Sequence, residues 1–302
     1  MRIETVAVLA PGDMGHAVAA RLRDRGLRVV TCLAGRSART RALAAAAGVE
    51  DLADDEALVR AADALLSIVV PAQAEELAWR IAAALQRTGT DLLYVDCNAI
   101  APESAREVGR VVERAGARFV DAGIIGPPPR RDAAGTRFYA AGAAAADFAQ
   151  LRDHGLDVRV IGERAGDASA VKMCYAALTK GTTAIMTELL VAAERLGVSE
   201  PLRAEFEESQ PEMLQRMGRA VPAMMPKAHR WVGEMEEIAR TFADAGLTPL
   251  TFEGAAALYA LVADTSLGRV SPEEWVATAA TASRWSRSSP APGAWTDAPA
   301  RS

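Results

Sequence analysis

One lysine stands in an otherwise apolar stretch of helical character, GDASAVKMCYAALTKGTTA. Lys172 shares a helix face with Tyr175, Thr179 and Thr183, because their spacings of 3, 4 and 4 residues follow the helical period. An amine held in an apolar cleft has a lowered pKa, so it can accept or donate a proton near neutral pH. We therefore predict that this polar stripe lines a cleft in which Lys172 can transfer a proton. The alternative is an ordinary helix lysine whose side chain reaches water.

A single long helix is predicted to carry this stripe. Asp167 or Ser169 can cap its start, and no proline interrupts it before Leu196, where Gly197 ends it. It would span about 30 residues, or roughly 45 Å, which suits a link between two domains. Two turns after the stripe begins, Lys180 lies at its edge, and we expect a surface or phosphate-facing lysine there.

The chain upstream of this helix alternates short apolar runs with helical segments such as Ala74–Leu85 and Pro102–Ala115. This alternation predicts βαβ units and a mainly parallel sheet. Downstream of the helix the pattern is all-helical to about Trp285, with one buried seam of Trp231, Met235, Ile238 and Phe242. The predicted strands are Thr5–Leu9, Leu27–Cys32, Ala64–Val69, Leu92–Asp96, Arg118–Ala122 and Val158–Ile161.

The first predicted strand ends in a glycine-containing turn, Ala10-Pro11-Gly12-Asp13-Met14-Gly15. It fits G-x-G-x-x-G with alanine at the first glycine. Gly12 allows the backbone to approach a diphosphate, and Gly15 allows close packing of helix on strand. The pattern predicts an α/β N-terminal Rossmann domain at residues 1–163. A long helix would join it to an all-α C-terminal domain, residues 164–285, followed by a disordered tail at 286–302.

The end of the second predicted strand indicates which dinucleotide binds. NAD sites usually place an acidic residue there for the ribose 2′-hydroxyl, but no acid occurs between Arg28 and Glu50. Arg36, Ser37 and Thr40, together with Arg39, offer cations and hydroxyls suited to a 2′-phosphate. We therefore predict NADP(H) as the cofactor. A solvated basic loop is the alternative.

Composition and charge exclude several classes of function. The net charge is −5, and no basic stripe suggests nucleic acid. The three cysteines form no CxxC pair, so neither a disulfide framework nor a metal site is expected. No signal-peptide-like segment is present, and no apolar stretch approaches the roughly 20 residues that span a bilayer. We expect a soluble cytoplasmic protein.

Five motifs in order along the chain resemble the β-hydroxyacid dehydrogenase superfamily: APGDMG, SIVVPAQA, DCNAIAP, DAGIIGPP and GDASAVKMCY. With KAHRWVGEMEEIA, the chain looks most like phosphogluconate-dehydrogenase-like proteins whose C-terminal domain is poorly characterised. The resemblance implies a Rossmann domain followed by a helical dimerisation domain. It also implies that Lys172 is the catalytic lysine, that Val69, Val70 and Pro71 line the cofactor, and that Asn98 lies near the nicotinamide.

The chain departs from this family in three places. Where relatives read D-A-P-V-S-G-G and hold a substrate carboxylate, this chain has Asp121 to Pro127, with Ile124, Ile125 and Gly126 facing the substrate in our prediction. Pro127 lacks an N–H and Ile125 cannot donate a hydrogen bond, so a less polar substrate is plausible. The asparagine usual near the lysine is absent.

In its place, Tyr175 could orient the substrate oxygen or donate a proton, with Thr179 beside the substrate. A lysine usual in the C-terminal domain is also absent near Glu234. His229 or Arg230 could replace it, although a surface or packing role is equally consistent.

These features predict an NADP-dependent oxidoreductase acting on a small hydroxy or oxo compound. Imine reduction in the same fold is one alternative, and a non-catalytic dinucleotide-binding protein is another. We also expect a homodimer through the helical domain. Its surface would include Met224, Met225, Trp231 and Leu258, which provide more apolar area than one small domain covers.

Overall fold

The structure is a computed structural model, and it describes residues 2–130 and 135–270. The chain forms two compact units, which divide between Cys174 and Tyr175. The first unit therefore includes the start of the long helix, whereas the whole helix was predicted to belong to the second domain. The predicted tail lies outside the described residues. Among the described helices, none combines the length and apolarity needed to cross a membrane.

A mixed sheet forms the centre of the first unit, and in the described residues it has eight strands in the order β3-β2-β1-β4-β5-β6-β7-β8. All neighbours pair in parallel except β6 and β7. The first six strands thus have the doubly wound order of dinucleotide-binding folds, with a switch point between β1 and β4. The strands are β1 Thr5–Leu9, β2 Arg28–Thr31, β3 Glu50–Asp51, β4 Ala64–Ser67, β5 Leu93–Asp96, β6 Arg118–Ile125, β7 Arg137–Ala141 and β8 Asp157–Gly162.

The predicted fold class is confirmed, and all six predicted strands are present. Two strands were missed. Glu50–Asp51 is a charged two-residue strand with no apolar run, and Arg137–Ala141 follows a proline-rich segment without a clear periodic signal. β6 also continues to Ile125, beyond the predicted end at Ala122.

Helices cover both faces of this sheet, and each face has its own hydrophobic core. Leu22 and Phe148 are fully buried on one side, and Ile81 and Leu85 on the other. The helices of the first unit are α1 Asp13–Asp24, α2 Ala38–Ala46, α3 Asp55–Ala61, α4 Ala74–Thr88, α5 Pro102–Arg114 and α6 Ala145–Phe148.

The long helix α7 runs from Asp167 to Leu196, as predicted. Gly197 follows with a left-handed φ of 72°, which ends the helix without strain. The predicted local caps are wrong. The carboxylate of Asp121 in β6 accepts the first N–H groups, while Asp167 binds Arg164 and Ser169 donates its hydroxyl to Asp121.

The second unit is helical throughout its described part, as predicted. After the end of α7 it contains α8 Ser199–Ser209, α9 Pro211–Met224, α10 Ala228–Asp244 and α11 Leu250–Asp264. Met235 and Ile238 of the predicted seam are fully buried. Ring pairs join α10 and α11, with centroids 5.2 Å apart for Trp231 and Tyr259 and 4.5 Å apart for Phe242 and Phe252.

Candidate active site

The glycine turn after β1 has the geometry of an anion-binding helix start. Gly12 is the N-cap of α1, where no side chain caps the free N–H groups, and a Cβ on Gly12 would meet no atom within 4 Å. A Cβ on Gly15, by contrast, would collide with the carbonyl oxygen of Ala10. The turn therefore needs a glycine at position 15 for close packing and has free space beside Gly12. These features fit a diphosphate group at the helix N-terminus.

The two residues between these glycines have different surroundings. The Asp13 carboxylate accepts a hydrogen bond from the Arg39 guanidinium at 2.5 Å, so the negative charge near the helix start is neutralised. Met14 packs partly buried against the core of the first unit. Contact of Asp13 and Met14 with the cofactor stays a prediction.

A pocket of about 180 Å³ lies where β2 and β4 end. Arg36 and Val69, two predicted cofactor residues, line it together with Arg80 of α4. Ser37 caps α2 by accepting the N–H of Thr40 at 3.2 Å, and the two hydroxyls lie 3.1 Å apart. One hydroxyl must donate to the other, so only one hydroxyl hydrogen of this pair stays available to a ligand.

Asn98 connects the loops that follow β4 and β5. Its Oδ1 accepts the N–H of Val69 at 2.7 Å, and its Nδ2 donates to Ser67 Oγ and to Asp96 Oδ2, both at 2.8 Å. Asn98 is 1% exposed, and both amide hydrogens are used. The place of Asn98 near the nicotinamide stays a prediction. The side chain is bound within the protein and positions the loop of Val69, which is followed by the exposed Val70 and by Pro71 at the start of a short 3₁₀ turn.

Lys172 lies near Asp96, the residue that ends β5. Burial lowers the pKa of Lys172 to about 8, while the neighbouring Cys97 and Asp96 act in the opposite direction. Burial also raises the pKa of Asp96 to about 7. Hydrogen bonds from Asn98 oppose that shift, and the charge of Asp121 adds to it. An amine and a carboxyl that both titrate near neutral pH are suited to proton transfer.

Lysine is scarce in this chain, which has three lysines and 31 arginines. A guanidinium stays protonated in proteins, whereas an ammonium can release its proton. Lys172 is therefore a basic residue of the first unit that can act as an acid and as a base, which no arginine can do.

Asp121 holds the start of α7 against the sheet. Its Oδ2 accepts the N–H groups of Gly166, Ala168 and Ser169 at 2.8, 2.9 and 3.0 Å, and its Oδ1 accepts the Ser169 hydroxyl at 2.6 Å. Burial raises the pKa of Asp121, and these four bonds act against that shift. Asp121 is also the register partner of Asp96 in the parallel β5–β6 ladder, so both acids lie at one edge of the sheet.

The segment after these acids is apolar, as its sequence indicates. Ile124 and Ile125 are 6% and 5% exposed, and Ile124 belongs to the core. The structure therefore gives Ile124 a packing role, and contact of either side chain with a substrate stays a prediction. Gly126 has a φ of +118°, and a Cβ there would collide with the carbonyl of Gly135, which explains the glycine.

The polar stripe on α7 differs from its prediction. Thr179 and Thr183 donate their hydroxyls to carbonyls one turn earlier, to Tyr175 at 3.2 Å and to Thr179 at 2.8 Å. Threonine in a helix commonly donates in this way, so the hydrogens of these two hydroxyls are used within the helix, while their oxygens can still accept a hydrogen bond. Thr183 is also buried. Tyr175 belongs to the second unit and is 49% exposed, and its role and that of Thr179 toward a substrate stay predictions.

Lys180 was expected at a surface or facing a phosphate, and this expectation is wrong. In the second unit its ammonium forms an ion pair with Glu234 of α10 and lies 5.1 Å from the centre of the Trp231 ring. Its backbone carbonyl accepts the Tyr259 hydroxyl at 2.6 Å. Lys180 thus joins α7, α10 and α11. The exposed His229 and the neighbouring Arg230 lie about one turn before Glu234 on α10. That either residue takes the place of the lysine found in the family stays a prediction.

Sequence reasoning missed Ser67, Asp96 and Asp121. A usable signal was present, since Asp96 ends one buried apolar run and Asp121 interrupts another. The carboxyl ends of neighbouring parallel strands meet at one edge, where such acids gather.

Two protein families match this chain. Residues 5–154 match the NAD binding domain of 6-phosphogluconate dehydrogenase, and residues 193–262 match a domain of unknown function, DUF1932. The doubly wound sheet and the glycine turn define a nicotinamide-dinucleotide-binding protein. The chain belongs to the β-hydroxyacid dehydrogenase superfamily, a family of oxidoreductases, and carries the C-terminal domain of unknown function that the sequence resemblance predicted.

Individual relatives agree with this membership. A conserved protein of unknown function, described as structurally similar to 3-hydroxyacid dehydrogenases, is 30% identical with a TM-score of 0.62, covering 88% of this chain and 98% of that chain. An uncharacterized 28.5 kDa protein of Methanothermus fervidus is 28% identical over 199 residues, which are 66% of this chain and 74% of that protein.

Two groups of enzymes share the fold at lower identity. The 3-hydroxyisobutyrate dehydrogenase of Mycobacterium tuberculosis, solved with L-serine, has a TM-score of 0.67 at 21% identity over 92% of this chain and 99% of that chain. An imine reductase of Myxococcus stipitatus, a variant solved with NAD+, has a TM-score of 0.54 at 17% identity over 92% and 99% of the two chains.

Proposed function

We propose that this protein is an NADP(H)-dependent oxidoreductase that interconverts a small hydroxy compound and its oxo form. The observation that carries this proposal is Lys172, whose pKa is lowered to about 8 at the sheet edge that also bears the glycine turn. When bound, the nicotinamide supplies the hydride acceptor or donor. The chain itself must supply the proton, and Lys172 is suited to this task.

Proton transfer at the Lys172 amine balances the reaction in both directions. In oxidation, the neutral Nζ accepts the proton of the substrate hydroxyl as the carbon loses a hydride. In reduction, the Lys172 ammonium donates a proton to the oxygen as the carbon gains the hydride. A pKa near 8 leaves both forms populated near neutral pH, which general acid–base catalysis requires.

The preference for a 2′-phosphate is supported by the loop after β2. Arg36 lines the pocket at that edge, and one hydroxyl hydrogen of the Ser37–Thr40 pair can donate to an anion. Arg39 is engaged with Asp13, so Arg36 is the better candidate for the phosphate contact. A charge-assisted hydrogen bond from a guanidinium would favour NADP(H) over NAD(H).

Imine reduction is the second candidate. The buried apolar pair Ile124 and Ile125 and the missing N–H of Pro127 favour a substrate without a carboxylate, and imine reductases share this fold. Lys172 could then protonate the nitrogen rather than an oxygen.

A homodimer is also part of the proposal, but its contact surface differs from the one predicted from the sequence. Met224 and Met225 are buried within the chain, 0% and 3% exposed, so they cannot supply an uncovered surface. Leu178 and Ile185 of α7 are 66% and 59% exposed, two helical turns apart on the same face. Exposed apolar residues repeating every seven positions suit a helix that packs against a second copy. Light scattering tests this, and a monomer would contradict it.

The enzymatic proposal is tested by following NADPH absorbance with a panel of β-hydroxy acids, oxo acids, aldehydes, ketones and cyclic imines. We expect turnover with at least one carbonyl compound, and loss of that turnover in Lys172→Met with NADPH binding retained. Lys227→Met, in the second unit, is the matched control and should keep activity. Imines as the sole substrates would select the second candidate, and full activity of Lys172→Met would refute the role of Lys172.

A further inference from the structure

Asp121 makes four hydrogen bonds to the first turn of α7 while lying in the sheet. Three backbone N–H groups converge on its Oδ2, and the Ser169 hydroxyl binds its Oδ1, with all distances between 2.6 and 3.0 Å. The partners lie 45 to 48 positions away along the chain, and Asp121 is 0% exposed. This carboxylate therefore caps a helix that belongs to a different segment.

The capped turn leads directly to Lys172. Ser169 precedes Lys172 by three residues, a rise of about 4.5 Å along the helix. A local cap would fix the helix start only relative to its own loop. Asp121 instead fixes it relative to β6, and Asp121 is paired in register with Asp96 of β5. The same residue thus connects the lysine to the acid that faces it.

Gly123, two residues further along β6 on the same face, sets how closely α7 approaches. A Cβ at Gly123 would lie 2.8 Å from the Ala168 carbonyl oxygen and 3.0 Å from the Lys172 Cβ. The helix therefore lies against bare backbone at the level of Lys172. With Asp121 fixing the position along the strand and Gly123 the distance from it, two residues of one strand define the placement of the lysine.

We propose that Asp121 is a positioning residue that sets the place of Lys172 in the site by capping α7 from the sheet. This inference rests on the proposed function in that Lys172 is the proton-transfer group there. It assigns Asp121 no contact with substrate. The geometry of the cap, rather than the charge of the carboxylate, is the property that matters.

Two substitutions separate geometry from charge. In Asp121→Asn the amide oxygen can take the place of Oδ2 and accept the three N–H groups, while the amide NH2 can donate to Ser169 Oγ, so the cap persists without the charge. Asp121→Ala removes both the cap and the charge. Loss of the Asp121 charge alters the titration of Asp96 in both variants alike, so a difference between them reports the cap.

The measurement is the titration of Lys172 itself by ¹³C NMR after reductive methylation. The chain has only three lysines, so the spectrum is simple, and Lys172→Met identifies the resonance by its loss. Asp63→Ala is the matched control, because the Asp63 carboxylate also accepts two backbone N–H groups, of Glu4 and Thr5, at the opposite edge of the sheet. Thermal midpoints of all variants are recorded.

We expect Asp121→Ala to raise the pKa of Lys172 by about one unit or more toward the ordinary value of about 10.4, because a loosened helix start lets the ammonium reach water. Asp121→Asn should remain much closer to the original protein, and Asp63→Ala should leave Lys172 unchanged. Equal pKa values in Asp121→Ala and Asp121→Asn, or an equal shift in Asp63→Ala, would overturn the inference.

If Asp121→Ala does not fold, Ser169→Ala and Ser169→Thr give the same comparison. The first removes the hydroxyl bond to Asp121 and the second keeps it, so only the first should move the pKa of Lys172 upward. No difference between them would overturn the inference. An upward shift of the Lys172 pKa in Asp121→Ala or Ser169→Ala would support the positioning role even if Lys172→Met kept full turnover. Full turnover of Lys172→Met would refute only the proposed function, so the two failures are distinguishable.

Discussion

Asn98→Ala should destabilise the first unit strongly, although Asn98 contributes no apolar packing. The substitution removes three side-chain hydrogen bonds, to the Val69 N–H, the Ser67 hydroxyl and the Asp96 carboxylate. All lie in a site where Asn98 is 1% exposed. Each bond contributes about 1 kcal/mol net, and buried groups left without partners cost more. We therefore expect a loss of roughly 3 kcal/mol or more in the free energy of unfolding.

The assay is thermal unfolding, in parallel with Thr31→Val. Thr31 is also fully buried, but its hydroxyl makes one hydrogen bond, to the Val8 carbonyl at 2.8 Å. For a unit of this size the midpoint falls by about 2–4 °C per kcal/mol, so Asn98→Ala should lose about 6–12 °C and Thr31→Val about 2–4 °C. If Asn98→Ala lost no more than Thr31→Val, Asn98 would not join the two loops in the way its hydrogen bonds indicate.

Three further outcomes follow from the same geometry. Arg36→Ala should weaken NADPH binding by about ten-fold or more and leave NADH binding unchanged in a fluorescence titration, because only NADPH has the 2′-phosphate; equal effects on both cofactors would contradict the assignment. Gly123→Ala should cost about 1–3 kcal/mol in chemical denaturation, because its Cβ would lie 2.8 Å from the Ala168 carbonyl oxygen, and an unchanged midpoint would count against that close approach. With the pKa of Lys172 near 8, reduction needs the ammonium and should slow as pH rises above about 8, while oxidation needs the neutral amine and should slow as pH falls below it. Because Asp96 and Cys97 face this amine, the observed values belong to the coupled group, and a flat rate profile between pH 6 and 10 would refute the role.

Much of the fold could be predicted because its signals are local. Each predicted strand is an apolar run. The helix α7 continues to Leu196 because no proline interrupts it, and it ends where Gly197 follows. The two missed strands lack such a signal, since β3 has two charged residues and β7 is a short segment defined by its pairing with β6 and β8. Pairing with neighbours is a tertiary property and leaves little trace in a short segment.

The candidate site was only partly predictable. Lys172 and the glycine turn were predicted from type and spacing, and residues of the β2–α2 loop from charge, and the roles of these residues stay predictions. The hydrogen bonds of Thr179 and Thr183 could not be predicted, because the sequence does not show that a helical threonine hydroxyl binds the carbonyl one turn earlier. Lys180 was misread as well, because its partner Glu234 is 54 positions away.

The sequence by itself determined the alternation of strands and helices, the glycine turn at Gly12 and Gly15, the length of α7 and the presence of one titratable lysine near its start. The tertiary structure alone decided which groups surround that lysine. Asp96 and Asp121 become neighbours only through the parallel register of β5 and β6, and Asp121 reaches α7 across 45 to 48 positions. The physical reason is range. Helical period, turns and caps act over a few residues, whereas burial, capping from another strand and shifts in pKa depend on groups that only the folded sheet brings together.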